Sequence, residues 1–121
     1  MKKLTDKEEA IMTVIWQLER AFAKEVRAAL PEPKPHINTV STMIRKLVEK
    51  DFLAVDDFGS THRYYPAISK EDYSANIISP KLTGLFGDSY KNVVAFFVKE
   101  EKLSVDELKD VIRMIEEEKN K

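Results

Sequence analysis

The stretch "HINTVSTMIRKLVEK" (residues 36–50) combines a regular apolar helix face with an unusual polar one. Its apolar residues recur at spacings of three and four, which predicts a helix with one buried side: Val40, Met43, Ile44 and Leu47. The opposite side carries short hydrogen-bonding side chains and two cations: Asn38, Thr39, Ser41, Thr42, Arg45 and Lys46. Ordinary solvated helix faces are mostly Glu and Lys, so this face indicates a role beyond solubility.

Two further helices are predicted before this one. Thr5 and Glu8 form a capping box, and an apolar stripe behind them predicts a first helix from Thr5 to Leu18. A second, shorter stripe, which begins at Phe22, ends at Pro31, because an interior proline loses a helix hydrogen bond. The segment "PEPKP" then serves as an extended connector.

A β-hairpin is predicted after the third helix. β-branched and aromatic residues flank the turn cluster "DDFGS", which places strands near Leu53–Asp56 and Thr61–Ala67. Three helices followed by a hairpin is the order of a winged helix-turn-helix, whose third helix enters the DNA major groove. We therefore expect a mainly α fold with a small β-hairpin: a winged-helix domain over residues 1–68 and a helical dimerisation domain over residues 69–121.

The C-terminal part predicts three short amphipathic helices, with a kink or break at Pro80. Nothing in the sequence supplies a further layer to cover their apolar faces. A second copy related by a twofold axis is the simplest cover. The residues predicted to form this dimer contact are apolar: Ile77, Val93, Val94, Phe97, Leu108, Val111, Ile112 and Ile115.

DNA binding is predicted to fall on the polar face of the third helix and on the wing. Amide and hydroxyl groups pair with adenine edges, whereas Arg and Lys reach phosphate or guanine. The predicted set is Asn38, Thr39, Ser41, Thr42, Arg45, Lys46 and, as the wing's one strong cation, Arg63. The simpler interpretation also stands: Asn38 or His36 only caps the helix, and the Ser and Thr side chains are merely solvated.

Composition argues against several other function classes. The chain has no cysteine, only two histidines and three turn-like glycines, so we expect no metal site, no cofactor and no enzyme. The formal net charge is −1, so a DNA claim must rest on local pattern. The start "MKKLTDKEEA" lacks a signal-peptide core and no segment is long enough for a bilayer, which predicts a cytoplasmic protein with no membrane partner.

Five runs in order resemble the penicillinase-repressor (BlaI/MecI-like) family of bacterial regulators: "LTDKEEAIMTVIW", "KEVRAAL", "NTVSTMIRKLVEKDFL", "RYYPAIS" and "FVKEEKLSVDELKDVI". The residues that match the family pattern in identity or type are Trp16, Thr39, Thr42, Leu47, Tyr64, Pro66, Leu103 and Ser104. The resemblance implies a homodimeric repressor that binds an operator dyad and is released when a regulatory protease cleaves its dimerisation helices.

Three departures from the family pattern are visible. The family's cleaved Asn-Phe bond falls on Phe96 and Phe97, so Phe96 replaces the asparagine. Asp51 stands where members usually have glycine, and the wing is more acidic than usual. The cysteines of the family's copper-responsive branch are absent, which argues against copper sensing.

The leading hypothesis is a sequence-specific transcriptional repressor that acts as a homodimer on a palindromic double-stranded DNA operator and is relieved by proteolysis in its dimerisation helices. The alternative is a winged-helix adaptor dimer without specific DNA binding, as the acidic wing and low net charge would allow. A third hypothesis is a regulator with a small-molecule pocket between the domains, for which the sequence shows no convergent polar cluster.

Overall fold

The computed structural model describes residues 3–87 and 89–120, which form two compact units divided between Ile77 and Ile78. The elements in chain order are α1 (Asp6–Leu18), β1 (Ala21–Phe22), α2 (Ala23–Ala29), α3 (Ile37–Glu49), β2 (Leu53–Asp57), β3 (His62–Pro66), α4 (Lys70–Phe86), α5 (Tyr90–Lys99) and α6 (Val105–Lys119). The sequence-based domain division after residue 68 stays a prediction, and the division between the compact units falls within α4.

The predicted start of the first helix and the predicted hairpin are confirmed. Thr5 is the N-cap of α1: its hydroxyl accepts from the Glu8 backbone N–H at 3.2 Å, and the Glu8 carboxylate accepts from the Thr5 N–H at 2.9 Å. Ser104 and Glu107 form the same reciprocal box at the start of α6. The two strands of the hairpin lie within one or two residues of their predicted limits.

A short strand, β1, adds to the hairpin and makes a three-stranded antiparallel sheet in the order β1-β3-β2. Ala21 pairs with Tyr64, and Phe22 pairs with Arg63. Phe22 was predicted to open the second helix, but it lies in β1 and is the N-cap of α2. A two-residue strand is too short to show an alternating pattern, so its partner strand and not its own sequence defines it.

The core of the first unit lies between its three helices and the sheet. The largest fully buried side chains come from all three helices: Ile11, Met12, Ile15, Val26, Val40, Ile44 and Leu47. Burying a side chain of this kind contributes about 1.5–3 kcal/mol relative to leaving it exposed. The predicted apolar face of α3 is therefore the face that anchors this helix and turns its polar side outward.

Tyr73 fastens the first turn of α4 to this core. Its hydroxyl accepts from the Leu4 N–H at 2.9 Å and donates to Oε2 of Glu9 at 3.2 Å. Its ring lies 5.9 Å from that of Trp16 and 5.8 Å from that of Phe52. Burial of this side chain raises the pKa of Tyr73 above its ordinary value.

Of the predicted kink or break at Pro80, the break is not found, because α4 continues from Lys70 to Phe86 with Pro80 inside it. An interior proline removes one backbone donor and crowds the carbonyl four residues earlier, which bends a helix without necessarily ending it. Helical residues on both sides of Pro80 provide enough backbone bonds for α4 to continue.

The second unit keeps much of its apolar surface in solvent. Val93 is buried, and the Phe96 ring contacts those of Phe86 and Phe97 in a tilted and an edge-on arrangement, with centroids 5.5 Å apart in each pair. Among the described residues of α6, none is fully buried. No helix within residues 3–87 and 89–120 is long and apolar enough to cross a membrane.

Candidate nucleic-acid interface

The polar side of α3 is the first part of the candidate interface. Five of its six predicted DNA-binding residues are exposed and Ser41 is half-buried: Asn38, Thr39, Thr42, Arg45 and Lys46 reach solvent. Four of them line a shallow surface depression together with Met43: Asn38, Thr39, Thr42 and Lys46. The structure therefore brings these side chains together on one continuous surface of a helix.

The helix cap is His36 and not Asn38. The Nδ1 atom of His36 accepts from the Asn38 backbone N–H at 3.0 Å, so the imidazole satisfies one of the open donors at the start of α3. The sequence left open whether Asn38 or His36 caps the helix, and the structure decides for His36. The Asn38 carboxamide is not used for capping and lies exposed at the N-terminal end of the helix.

Thr42 is the centre of a small hydrogen-bond network on this face. Its hydroxyl donates to the Asn38 carbonyl at 2.9 Å and accepts from Nη2 of Arg45 at 3.2 Å. A hydroxyl has one proton and two lone pairs, so these two bonds leave Thr42, which is exposed, one lone pair and its methyl group for other contacts. These are the groups that contact a base N–H and a thymine methyl.

The connector between α2 and α3 is fixed by a lysine that sequence reasoning missed. The Lys34 ammonium donates to the carbonyls of Leu30 at 2.6 Å, Ala28 at 2.8 Å and Arg27 at 3.4 Å, which caps the end of α2. Arg27 in turn donates from Nε to the Pro35 carbonyl at 2.7 Å. A lysine shortly after a helix end is the sequence signal for this role.

The acidic wing carries its own counter-charges. One oxygen of Asp56, Oδ2, lies 2.6 Å from Nη1 of Arg20 and 3.5 Å from Nη2 of Arg63. Arg63, predicted to bind DNA, therefore also lies near a carboxylate of its own chain. Its buried Nε has no hydrogen-bond acceptor within the part of the chain that the structure describes. Arg20 was missed because its partner lies 36 residues away.

The model of the family described as penicillinase repressor matches residues 4–117. The chain belongs to the penicillinase repressor family. A penicillinase repressor from Bacillus licheniformis is 27% identical over 125 residues, covering 100% of this chain and 98% of the relative. The methicillin resistance regulatory protein MecI from Staphylococcus aureus strain N315 is 22% identical over 110 residues, covering 90% and 89%.

The family fold is also found in a solved structure. RosR from H. salinarum aligns with a TM-score of 0.52 at 18% identity and covers 84% of this chain and 96% of its own. At that identity the likeness supports the fold alone. The penicillinase repressor family is one of regulators and not of enzymes, and no group of three or more His, Asp or Glu within residues 3–87 and 89–120 is placed to hold a metal ion.

The predicted dimer residues of this family member fall into three environments. Val93 is buried, and Ile77 packs against the core of the first unit. Leu108 is half-buried, whereas the other five are exposed: Val94, Phe97, Val111, Ile112 and Ile115. The exposed members lie on α5 and α6, and we refer to them together as the α5–α6 face.

The bond between Phe96 and Phe97 lies inside α5. The Phe96 carbonyl accepts from the Glu100 N–H at 2.9 Å, and the Phe97 carbonyl accepts from the Lys102 N–H at 2.9 Å. A protease binds an extended segment, so cleavage at this bond requires local unwinding of α5.

Proposed function

We propose that this protein is a sequence-specific, DNA-binding transcriptional repressor that acts as a homodimer on a palindromic operator. The observation that carries the proposal is the exposed polar face of α3, whose apolar side is anchored in the core and whose N-terminus is capped by His36. This is the arrangement of a recognition helix in a winged helix-turn-helix. Membership of a repressor family supports the same conclusion.

In this proposal α3 enters the major groove with its N-terminal half against base edges. The Asn38 carboxamide suits an adenine edge, and Thr39 and Thr42 suit bases that offer a hydrogen-bond donor or a methyl group. Arg45 and Lys46, one turn later, supply charge toward guanine or phosphate. Ser41 is half-buried and makes a smaller contribution.

The α5–α6 face supports the homodimer. Its side chains are large and apolar yet remain substantially in solvent, for example Ile112 at 53% and Phe97 at 40% exposed. Large apolar side chains left in solvent in such numbers are typical of protein contacts, and a twofold dimer buries the same residues of both copies. Two α3 helices in such a dimer would meet half-sites about 34 Å apart on one side of the duplex.

Relief of repression by proteolysis in α5 is part of the proposal. Each half-site alone binds weakly, so cleavage that separates the protomers lowers the effective concentration of the second α3 helix and releases the operator. The regulatory protease would act on an unwound α5, because the Phe96 and Phe97 carbonyls are both hydrogen-bonded in the helix.

The test is DNA binding by the full chain as a function of salt and half-site spacing. Duplexes selected from a random pool should contain an inverted repeat, and log Kobs should fall against log salt with a slope of about −0.9 per phosphate contact. Moving the half-sites apart by half a helical turn should abolish tight binding, since it places the two recognition surfaces on opposite sides of the duplex.

Two results would contradict the proposal. If no duplex is bound at low salt, DNA binding fails and the adaptor dimer becomes the better description. If selected duplexes carry a single, non-repeated site and bind with unit stoichiometry, the homodimer on a palindrome fails while DNA binding stands.

A further inference from the structure

We propose that Arg20 and Arg63 form a binding site for a DNA backbone phosphate and that Asp56 is the positioning residue that holds both arginines. The proposal rests on the proposed function, because it names a contact of the same DNA complex. It assigns a role to Arg20, which lies just before β1, and it reverses the role expected of Asp56 in an acidic wing.

The three side chains share one face of the sheet. Asp56 and Arg63 are register partners on β2 and β3, and Phe22 is the register partner of Arg63 on β1. Directly opposed residues of antiparallel strands point to the same face. Arg20 reaches across this face from the other edge of the sheet to the same Asp56 oxygen that Arg63 approaches.

Aromatic rings support both guanidinium groups. The Arg20 Cζ lies 4.6 Å from the centroid of the Tyr65 ring, and the Arg63 Cζ lies 5.1 Å from that of Phe58. The Phe58 ring is itself 6.2 Å from that of Phe22. An arginine that lies over a ring and contacts a carboxylate already occupies few rotamers. It therefore loses less side-chain conformational entropy when it binds a ligand.

The charge of this cluster suits an anion. Two guanidinium groups share one carboxylate, so the cluster keeps a net positive charge. The Arg20 side chain remains 51% exposed, and Asp56 occupies only one of its five N–H donors in the described contacts. Phosphate oxygens are matched by the planar fork of an arginine, which is the chemistry that this face offers.

The neighbouring Asp57 provides a contrast within the same wing. Its Oδ1 accepts from the Gly59 N–H at 2.8 Å and lies 3.7 Å from Nδ1 of His62. Within the described residues it makes no contact with an arginine, and its side chain is 68% exposed. Asp57 therefore adds a negative charge to the wing turn without holding an arginine, whereas Asp56 organises two positive charges.

The test compares alanine variants of the two aspartates in duplex binding by the dimer of this chain. Removing a negative charge favours DNA binding by electrostatics alone, and we expect that result for D57A. We expect the opposite for D56A, a Kd that rises about fivefold, because the two arginines lose their common anchor. The R20A variant should reduce the salt slope by about 0.9, the loss of one phosphate contact.

Two further variants separate positioning from folding. In an R20A/R63A background D56A should tighten DNA binding, since only a negative charge is then removed. If Asp56 had a purely structural role, D56A would weaken DNA binding both in the wild type and in the R20A/R63A background. R113A removes an arginine from an exposed ion pair with Asp110 on α6 and is the control for loss of positive charge. This variant should sediment as a dimer and bind DNA with the wild-type salt slope.

The outcomes distinguish this inference from the proposed function. Wild-type protein that binds no duplex overturns the proposed function itself. Wild-type binding with an unchanged salt slope in R20A, or tighter binding in D56A, overturns the phosphate site and leaves the repressor proposal intact.

Discussion

The Lys50 ammonium lies 2.9 Å from Oε2 of Glu8 and joins the end of α3 to the first turn of α1. The other oxygen of the same carboxylate accepts the Thr5 N–H in the capping box. The Glu8 side chain is only 7% exposed, so one nearly buried group both starts α1 and fixes the helix that we propose reads DNA. The stability of the first unit should therefore depend on the ionisation of Glu8.

The hydrogen bond from the Thr5 backbone and the contact with Lys50 hold the pKa of Glu8 below its ordinary value of 4.5. A depressed pKa contributes stability that is fully present above 4.5 and is lost as the pH falls through the lower folded-state value. Denaturant unfolding from about pH 7 down to about pH 3 should show the difference in stability between wild type and E8Q shrinking over this range. E117Q, an exposed change on α6, provides the control, and a pH-independent difference for E8Q would contradict this account.

Asp51 adopts a left-handed backbone conformation, with φ at 66°. It follows the end of α3, where its N–H donates to the Val48 carbonyl and the Phe52 N–H donates to the Leu47 carbonyl. Glycine adopts this conformation without the steric cost that a Cβ adds. D51G should therefore raise the free energy of unfolding by about 0.5–1 kcal/mol, whereas D51A should give no such gain. Equal stabilities of D51G and D51A in urea would show that φ is not the cause.

Thr42 should determine the preference for one base pair of the operator. T42A removes both the methyl group and the hydroxyl that bonds to Arg45, so it should cost about 1–3 kcal/mol at one position and little at the others. Binding to a set of single-position operator variants measures this. Thr13 makes the same bond to the carbonyl four residues earlier, on α1, so T13A is the matched control. An unchanged preference in T42A would remove Thr42 from the base-reading residues.

Phe97 should lie within the dimer contact of the α5–α6 face. F97D places a charge in that apolar contact and should weaken dimerisation at least about tenfold, because an unpaired charge resists burial. Sedimentation velocity over a concentration series measures the change. N92D introduces the same charge at another exposed position of α5 and should remain dimeric. F97D that sediments as a dimer would place the contact elsewhere.

Local patterns predicted most of the first unit. The capping box of Thr5 and Glu8 spans three residues, and the buried face of α3 repeats within one or two turns. Interactions of that range join residues that are close in the sequence, so the local residue pattern is enough to predict them. The polar face of α3 was predicted as a set for the same reason, because residues three and four apart share one side of a helix.

Long-range contacts decided what the sequence left open. Tyr73 bonds to Leu4 across 69 residues, and Arg20 bonds to Asp56 across 36. No periodicity encodes such a partner, so the wing appeared simply acidic until the fold placed Arg20 beside it. The sequence by itself determined the family, the hairpin and most of the helices, apart from the first residue of α2 and the continuity of α4 at Pro80. The choice of His36 over Asn38 as the cap of α3 is local, since the two residues are neighbours in the sequence. Only the tertiary structure decided that β1 completes the sheet and that Asp56 holds two arginines, because these depend on which distant groups the folded chain brings together.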